Sequence, residues 1–293
     1  MKLKLSLITL AVLGMVSVAH AEEAASDVTV TGHVDLVSKY ILRGATKTYG
    51  TAPLGNAGAD APESKDPVLQ WGVDASWANG FYLGYWGSQI NYSYKHLGES
   101  YDSYMNSTAF PTDYQADKSI ENDFYGGYVG KITDDLSYTV GLTGYYYING
   151  KYANAFETKL GLAYGPFSAY AQTLLKDTVW GNKGDTYWTF NYSTPLPHDI
   201  TLNASLGYYT YKKQGKFLGS TDPLTGADCG AFAVSACDST GHVVSSAWRH
   251  FNIGISQPIT KNVSWGLTAI FGGENRYGVK QKNDVVANLS YLF

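Results

Sequence analysis

The chain has 293 residues, of which 32 are glycine and 25 are tyrosine, while charged residues make up only 16%. With 21 basic and 25 acidic residues the formal net charge is −4, which excludes the strongly basic surface that nucleic-acid binding needs. Few charges together with abundant Gly, Tyr, Ser and Thr are typical of strands that have one apolar face and one uncharged polar face. The length allows one large all-β domain or two smaller ones.

The first 21 residues have the pattern of a secretory signal peptide. Met1 to Lys4 is a basic start, Leu5 to Val18 is mainly apolar, and Ala19 to Ala21 supplies a small-x-small cleavage site. The apolar run is shorter than the roughly 20 residues of a spanning helix, and no later stretch is apolar enough to form one. We therefore predict cleavage after this site and a mature domain of residues 22–293, which could enter a membrane only as a barrel.

The rest of the chain alternates between apolar and polar residues in twelve segments, which is the period of a β-strand. The predicted strands are Val28–Arg43, Val68–Trp77, Phe81–Tyr92, Ile120–Lys131, Leu136–Ile148, Ala155–Tyr164, Phe167–Lys176, Thr186–Thr194, Ile200–Tyr211, Trp248–Gln257, Val263–Phe271 and Asn283–Phe293. Stretches such as Gly44–Asp66 and Tyr94–Lys118 lack this alternation, and they are predicted to be long loops.

The connections between these strands are sorted by length. Those that follow the even-numbered strands are short turns, such as Ala78-Asn79-Gly80, whereas those that follow the odd-numbered strands are on the whole longer and more variable. Outer-membrane barrels have short periplasmic turns and long outer loops, whereas a soluble β-sandwich has no reason to sort its connections in this way. We therefore predict an all-β, transmembrane, antiparallel up-and-down β-barrel of about twelve strands. Its place would be the outer membrane of a Gram-negative bacterium, in contact with outer-membrane lipid.

One face of each strand carries Leu, Val, Ile and aromatic residues and is assigned to lipid, so the other face should line the lumen. The charged candidates for the lumen are Asp35, Lys39, Arg43, Asp74, Glu121, Asp123, Glu157, Lys159, Lys176, Asp185 and Asp284. Acids outnumber bases in this set, which predicts a weak preference for cations. Twelve strands allow either a narrow channel or a nearly closed barrel. Small residues on the lumen face, among them Gly141, Gly161 and Gly207, favour an open path.

The end of the chain resembles the assembly signal of bacterial outer-membrane barrels. Leu289, Tyr291 and Phe293 alternate along the final strand, and the chain stops on an aromatic residue. This pattern predicts recognition by the barrel assembly machinery and pairing of the last strand with the first, which removes the free edges of the sheet.

Cys229 and Cys237 are the only two cysteines, and both lie in one segment rich in Gly, Ser, Thr and Asp. In an exported chain an even pair is most simply a disulfide, here one that closes a short loop. A metal site would need further ligands, and His242 is the only candidate nearby. We therefore predict a disulfide, no metal and no cofactor.

Four stretches carry a family resemblance: VDLVSKYILRGATKTYG, WGVDASWANGFYLGYWGSQI, ENDFYGGYVGKITDDLSYTVGLTGYYYING and the end of the chain. Together they resemble the TorF porin family, a group of exported proteobacterial proteins. The resemblance covers the first half of the chain well and the second half thinly. The tract after Gly50 and the cysteine-bearing loop look like insertions. The resemblance implies an outer-membrane barrel that acts as a channel, and it supplies no substrate and no binding residue.

These observations predict a porin-like channel for passive diffusion of small polar or ionic solutes. One alternative is a barrel-wall enzyme that acts on lipid or peptide, which would need a serine and a histidine side by side. The histidines after the leader are scattered, and the sequence has no Gly-x-Ser-x-Gly or His-Glu-x-x-His motif, so no catalytic residue is assigned. The other alternative is a non-conducting adhesin or structural barrel.

Overall fold

The computed structural model describes residues 27–46, 62–109, 111, 113, 116–218, 244–276, 278 and 280–293. Within these ranges the chain forms twelve β-strands, one α-helix and one 3₁₀ turn. The strands are β1 Val28–Val37, β2 Val68–Trp77, β3 Phe81–Gln89, β4 Ile120–Lys131, β5 Leu136–Ile148, β6 Ala155–Tyr164, β7 Phe167–Leu174, β8 Thr186–Pro195, β9 Thr201–Thr210, β10 Ser246–Pro258, β11 Val263–Gly272 and β12 Asp284–Leu292. The helix α1 spans Tyr94–Asn106 and the 3₁₀ turn spans Leu42–Gly44.

The twelve strands form a closed antiparallel barrel in which each strand pairs with its neighbours in sequence. The predicted fold is therefore confirmed. The ring closes where β1 pairs with β12, from His33 opposite Leu292 to Val37 opposite Asn288. Two backbone hydrogen bonds between Gly32 and Phe293, of 2.7 and 2.9 Å, extend this pairing to the last residue of the chain. We call this junction the seam.

The outer surface of the barrel is apolar along the middle of the strands. Its exposed side chains include Leu36, Leu69, Val73, Val140, Leu142, Phe156, Leu160, Leu162, Leu206, Phe251, Ile253, Leu267 and Val285. These residues alternate with inward-facing polar ones, so the two faces of the strands lie as the sequence predicted. A continuous apolar belt of this kind marks a surface that is covered by another apolar phase or partner. Among the described residues, no helix combines the length and the apolar character needed to cross a bilayer.

The structure corrects the end of the first strand. The sequence extended it to Arg43 because Tyr40 and Leu42 continue the apolar alternation, but β1 ends at Val37. The chain then turns into the barrel, so that Tyr40 is only 2% exposed and Leu42 packs against the buried core instead of facing outward. Arg43 and Gly44 make this turn with φ values of 48° and 72°, in the left-handed region that favours glycine.

A second correction is α1, which lies in a stretch that the sequence predicted to be a loop. The helix starts after Ser93, whose hydroxyl accepts a hydrogen bond of 3.2 Å from the backbone N–H of His96, as an N-cap residue does. Gly98 lowers the helix propensity of the segment. It is needed because a Cβ there would lie 2.4 Å from the carbonyl oxygen of Lys151. The helix thereby packs closely on the connection that follows β5.

Two predictions fall on residues outside the described ranges. The signal peptide of residues 1–21 and the disulfide between Cys229 and Cys237 both lie there, as does His242. They remain predictions.

Candidate functional site in the barrel lumen

The two ends of the barrel differ. One rim, here called the turn rim, carries the short turns and both ends of the barrel domain; the other, the loop rim, carries the longer connections. At the loop rim the chain folds inward between β1 and β2. Tyr40 and Ser64 pair there through two backbone hydrogen bonds of 2.9 and 3.1 Å. We call residues 40–46 and 62–66 the plug.

Arg43 anchors the plug inside the lumen. Its guanidinium donates hydrogen bonds of 2.8 and 2.5 Å to the two carboxylate oxygens of Glu157 on β6. It also donates to the hydroxyls of Tyr209 and Tyr145, at 2.7 and 3.2 Å, and lies 4.6 Å from the ring centroid of Tyr187. Burial disfavours the charge of Arg43, but Glu157 outweighs this effect and holds the pKa of Arg43 well above its usual range. The pair is therefore a bidentate salt bridge.

Further bonds join the plug to other parts of the wall. The Nε of Arg249 on β10 donates 2.9 Å to the backbone oxygen of Arg43. The hydroxyl of Thr46 donates 2.6 Å to the backbone oxygen of Lys282, just before β12. Gly44 lies so close to β10 that an added Cβ would be 3.0 Å from the carbonyl oxygen of Arg249. The plug thus spans the lumen from one side of the ring to the other.

A group of buried carboxyls lies beside the plug. Tyr40 and Tyr147 donate hydrogen bonds of 2.6 and 2.8 Å to the two oxygens of Glu121 on β4. Tyr94, the first residue of α1, donates 2.7 Å to Glu63 of the plug. Burial and then the nearby charge of Glu121 raise the pKa of Glu63 well above its usual range, although the bond from Tyr94 opposes them.

Asp123 completes this group. It lies one inward position further along β4 than Glu121 and is fully buried. Neither of its carboxylate oxygens has a hydrogen-bond partner within the described ranges of the chain. A buried carboxyl without a hydrogen-bond partner is unfavourable in its ionised form. We call Glu63, Glu121 and Asp123 the acid cluster.

The remaining predicted lumen residues fall into two groups. The residues of the first group contact a neighbour inside the barrel or at its loop rim. Lys39 pairs with Asp284 at 2.6 Å, and Asp35 pairs with His33 at 2.7 Å. Asp74 accepts a hydrogen bond of 2.6 Å from the hydroxyl of Tyr125, and the amine of Lys159 lies 4.7 Å from the ring centroid of Tyr170. Lys176 and Asp185 lie beyond the strands, because β7 ends at Leu174 and β8 begins at Thr186. Lys176 is exposed, and Asp185 pairs with Arg276 in the connections of the loop rim. These two therefore do not line the barrel wall.

The room beside the lumen-face glycines Gly141 and Gly161 is filled, whereas the sequence led us to expect that these small residues favour an open path. A Cβ at Gly141 would lie 2.3 Å from the hydroxyl of Tyr82, and one at Gly161 would lie 2.3 Å from the ring of Tyr170. Large side chains from neighbouring strands occupy the room that the small residues provide, as close packing requires. Beside Arg43 a cavity of about 60 Å³ remains, which is large enough for a few water molecules.

Sequence reasoning missed several residues of this site. Tyr40 continues the apolar alternation of the first predicted strand, and Glu63 and Tyr94 lie in predicted loops. Arg249 and His250 lie at a bulge of β10 where the register against β9 shifts, which no local pattern indicates. The N-cap Ser93 is the one local signal that could have placed Tyr94 on a helix.

The described residues contain no group of His, Cys, Asp and Glu side chains that could hold a metal ion. The side chain of His33 contacts Asp35, and Nε2 of His250 lies 2.5 Å from the hydroxyl of Tyr187. Neither contact places the histidine against a serine, which a hydrolase of the barrel wall would need.

Comparisons with known proteins give one family and several barrels. A family model described as a bacterial protein of unknown function (Gcw_chp) matches residues 21–250. No curated protein gives a significant match. Among solved structures the chain is similar to the KdgM porin, with 9% identity and a TM-score of 0.47 over 90% of this chain and 98% of the other. The NanC porin has 8% identity and a TM-score of 0.46, over 90% of this chain and 98% of the other. Outer membrane phospholipase A from Escherichia coli has 12% identity and a TM-score of 0.37, over 89% of this chain and 88% of the other.

Proposed function

This chain belongs to the Gcw_chp family of bacterial proteins of unknown function, and we propose that it is an outer-membrane, porin-like channel for small polar or ionic solutes. The observation that carries the proposal is a closed barrel with an apolar outer belt around a polar, charged lumen. Closed barrels and helices are the two structures that satisfy all their backbone hydrogen bonds within lipid. The predicted leader and the resemblance to the TorF porin family support export to the outer membrane.

Strand length supports the same proposal. The strands have between 8 and 13 residues, and a tilted strand needs about 9–11 to cross the hydrocarbon layer. The last strand presents Leu289, Tyr291 and Phe293 on the outer surface, where the barrel assembly machinery would recognise them before the ring closes.

The plug lies across the lumen at the loop rim, so we expect conduction to require movement of the plug. The barrel wall does not depend on the plug, because each strand takes its backbone partners from its two neighbours. Movement of the plug would also carry Arg43 out of the lumen. Glu157, Glu121 and Asp123 would stay behind on the wall, which supports a weak preference for cations.

The test is conductance of the folded full-length protein in planar bilayers. We expect discrete conductance steps, with a reversal potential in a salt gradient that indicates a modest preference for K⁺ over Cl⁻. A panel of ions and neutral sugars then gives the size limit. Protein denatured in the same detergent is the control, and a silent bilayer from folded protein would contradict the proposal. Lipid and peptide hydrolysis assays on the same preparation test the enzyme alternative.

A further inference from the structure

We propose that the acid cluster is a proton-sensitive latch, in which protonated carboxyls hold the plug in the lumen and their ionisation releases it. This inference rests on the proposed channel function and adds a mode of regulation to it. Glu63 belongs to the plug, whereas Glu121 and Asp123 belong to the wall. Ionisation of the cluster therefore places like charges on the two sides of the contact that must hold for the channel to stay closed.

The charges of the acid cluster are not balanced when every carboxyl is ionised: Lys159 and Arg249 are also buried in the lumen, but Arg43 is the base that acts on Glu121 and Asp123. Glu63, Glu121, Asp123 and Glu157 are at most 5% exposed. The guanidinium of Arg43 is already paired in a bidentate bridge with Glu157. Like charges that are close together in a buried site cannot all ionise at low cost. Protons on the acid cluster remove this conflict.

Some carboxyl oxygens of the acid cluster accept no hydrogen bond and could carry those protons. Glu121 accepts from two phenols, whereas Glu63 accepts from one, and its Oε2 has no partner among the described residues. Both oxygens of Asp123 are in the same condition within the described chain. The cluster thus has three oxygens that are buried without a donor, and a carboxylic acid tolerates such a site better than a carboxylate does.

The groups that face Glu63 come from every element around it. They are Tyr40 and Arg43 of the plug, Tyr94 of α1, Glu121 and Asp123 of β4, Tyr147 of β5 and Glu157 of β6. The charged groups Asp185, Arg249 and Arg276 and the phenols Tyr209 and Tyr211 line the same cavity. Burial raises the pKa of Tyr40 and of Tyr94 well above the usual value of 10.0, with nearby carboxylates acting in the same direction. These two phenols therefore stay protonated donors at physiological pH, and the carboxyls are the groups that change charge.

The direction of the effect follows from Glu63. Burial and Glu121 raise its pKa in the docked plug above the ordinary value of 4.5, which a released plug would restore. Below that value Glu63 is protonated in both states, and the docked state keeps its full stability. Between the ordinary and the raised pKa, release of the plug also releases a proton, so rising pH favours the open channel. One linked proton changes the ratio of open to closed channels by up to about tenfold per pH unit.

The experiment measures open probability in planar bilayers at symmetrical pH values between 4 and 8. For the wild-type protein we expect an increase of about tenfold or more from the acid to the alkaline end of this range. Glu63→Gln keeps the shape of the protonated acid but cannot ionise, so its open probability should remain low and lose most of the pH dependence. Asp123→Asn should act in the same direction. Glu274→Gln replaces an exposed acid in the connection after β11 and is the matched control. Its open probability should depend on pH as that of the wild-type protein does.

A second measurement does not depend on conductance. Hydrogen exchange of residues 40–46 and 62–66 in the folded wild-type protein, corrected for the intrinsic rate, should show more protection at pH 5 than at pH 8. Equal protection at both pH values would overturn the latch. A channel that opens equally at every pH would overturn it while leaving the channel function intact. A silent bilayer together with pH-dependent protection would overturn the channel function alone.

Discussion

Arg43→Ala should raise the ratio of open to closed channels at neutral pH by about a hundredfold or more while the barrel stays folded. The substitution removes the guanidinium that holds Glu157 with two hydrogen bonds, of 2.8 and 2.5 Å. Removing one partner of a buried ion pair costs about 3–5 kcal/mol, because the other charge is left without compensation. Release of the plug relieves this cost because water can then reach Glu157, and the wall can remain folded while this happens. Bilayer recordings measure the open probability. Resistance to unfolding on heating in detergent, equal to that of the wild-type protein, shows that the wall is intact.

Lys95→Ala is the matched control for this experiment. Lys95 pairs with Asp117 at 2.6 Å, but both side chains are 42–50% exposed, so solvent screens the pair and its removal should hardly change stability. Arg43→Lys keeps the charge and loses the bidentate geometry, so an intermediate open probability is expected. Wild-type open probability in the folded Arg43→Ala protein would show that this salt bridge does not hold the plug.

Deletion of Phe293 should lower the yield of assembled barrel by about tenfold and leave the conductance of the assembled molecules unchanged. The deletion removes the two backbone bonds to Gly32 at the seam, of 2.7 and 2.9 Å. It also uncovers Gly32, where an added Cβ would lie 2.5 Å from the Phe293 ring. A net contribution of about 0.5–1.5 kcal/mol for each hydrogen bond gives a loss near one order of magnitude in the folding equilibrium. The heat-resistant fraction of the protein in isolated membranes is the readout.

Two variants separate the seam from the loss of apolar surface. Phe293→Ala keeps the backbone bonds and should assemble better than the deletion. Phe167→Ala removes a similarly exposed outer aromatic that also lies at the turn rim but not at the seam, and it should assemble nearly normally. A deletion variant with wild-type yield would count against an assembly role for the last residue, and an equal defect in Phe167→Ala would count against the seam.

The barrel wall could be predicted from the sequence because the alternation that specifies it is present in nearly every strand; β3 is the exception, since aromatic residues lie on both of its faces. β2, β4, β5 and β6 begin and end where the sequence placed them. A strand with an apolar exterior and a polar lumen must keep a strict period of two, since a slip of one residue would exchange the two faces. The same alternation predicts that the side chains of Glu121, Asp123 and Glu157 point into the lumen.

The plug could not be predicted, because the alternation continues beyond the point where the wall ends. Tyr40 and Leu42 keep the outward parity of β1, and only Gly44 hints at a turn. The partner of Arg43, Glu157, lies 114 residues away, so their pairing depends on the assembled ring. The glycines were misleading for a related reason: the sequence shows that Gly141 is small, but not that the hydroxyl of Tyr82 reaches it from β3.

The position of Arg43 also has a consequence for the order of folding. Its side-chain partners and Arg249 lie between 102 and 206 residues from it in sequence, on strands β5, β6, β9 and β10. Contacts over such separations form late, because the entropy of the intervening chain must be lost before they can form. The plug can dock only after β10 has joined the sheet, whereas the strands pair with their sequence neighbours. The seam joins residues that lie still further apart in sequence, from His33 opposite Leu292 to Val37 opposite Asn288. Docking of the plug and closure of the ring therefore both belong to the last stage of assembly.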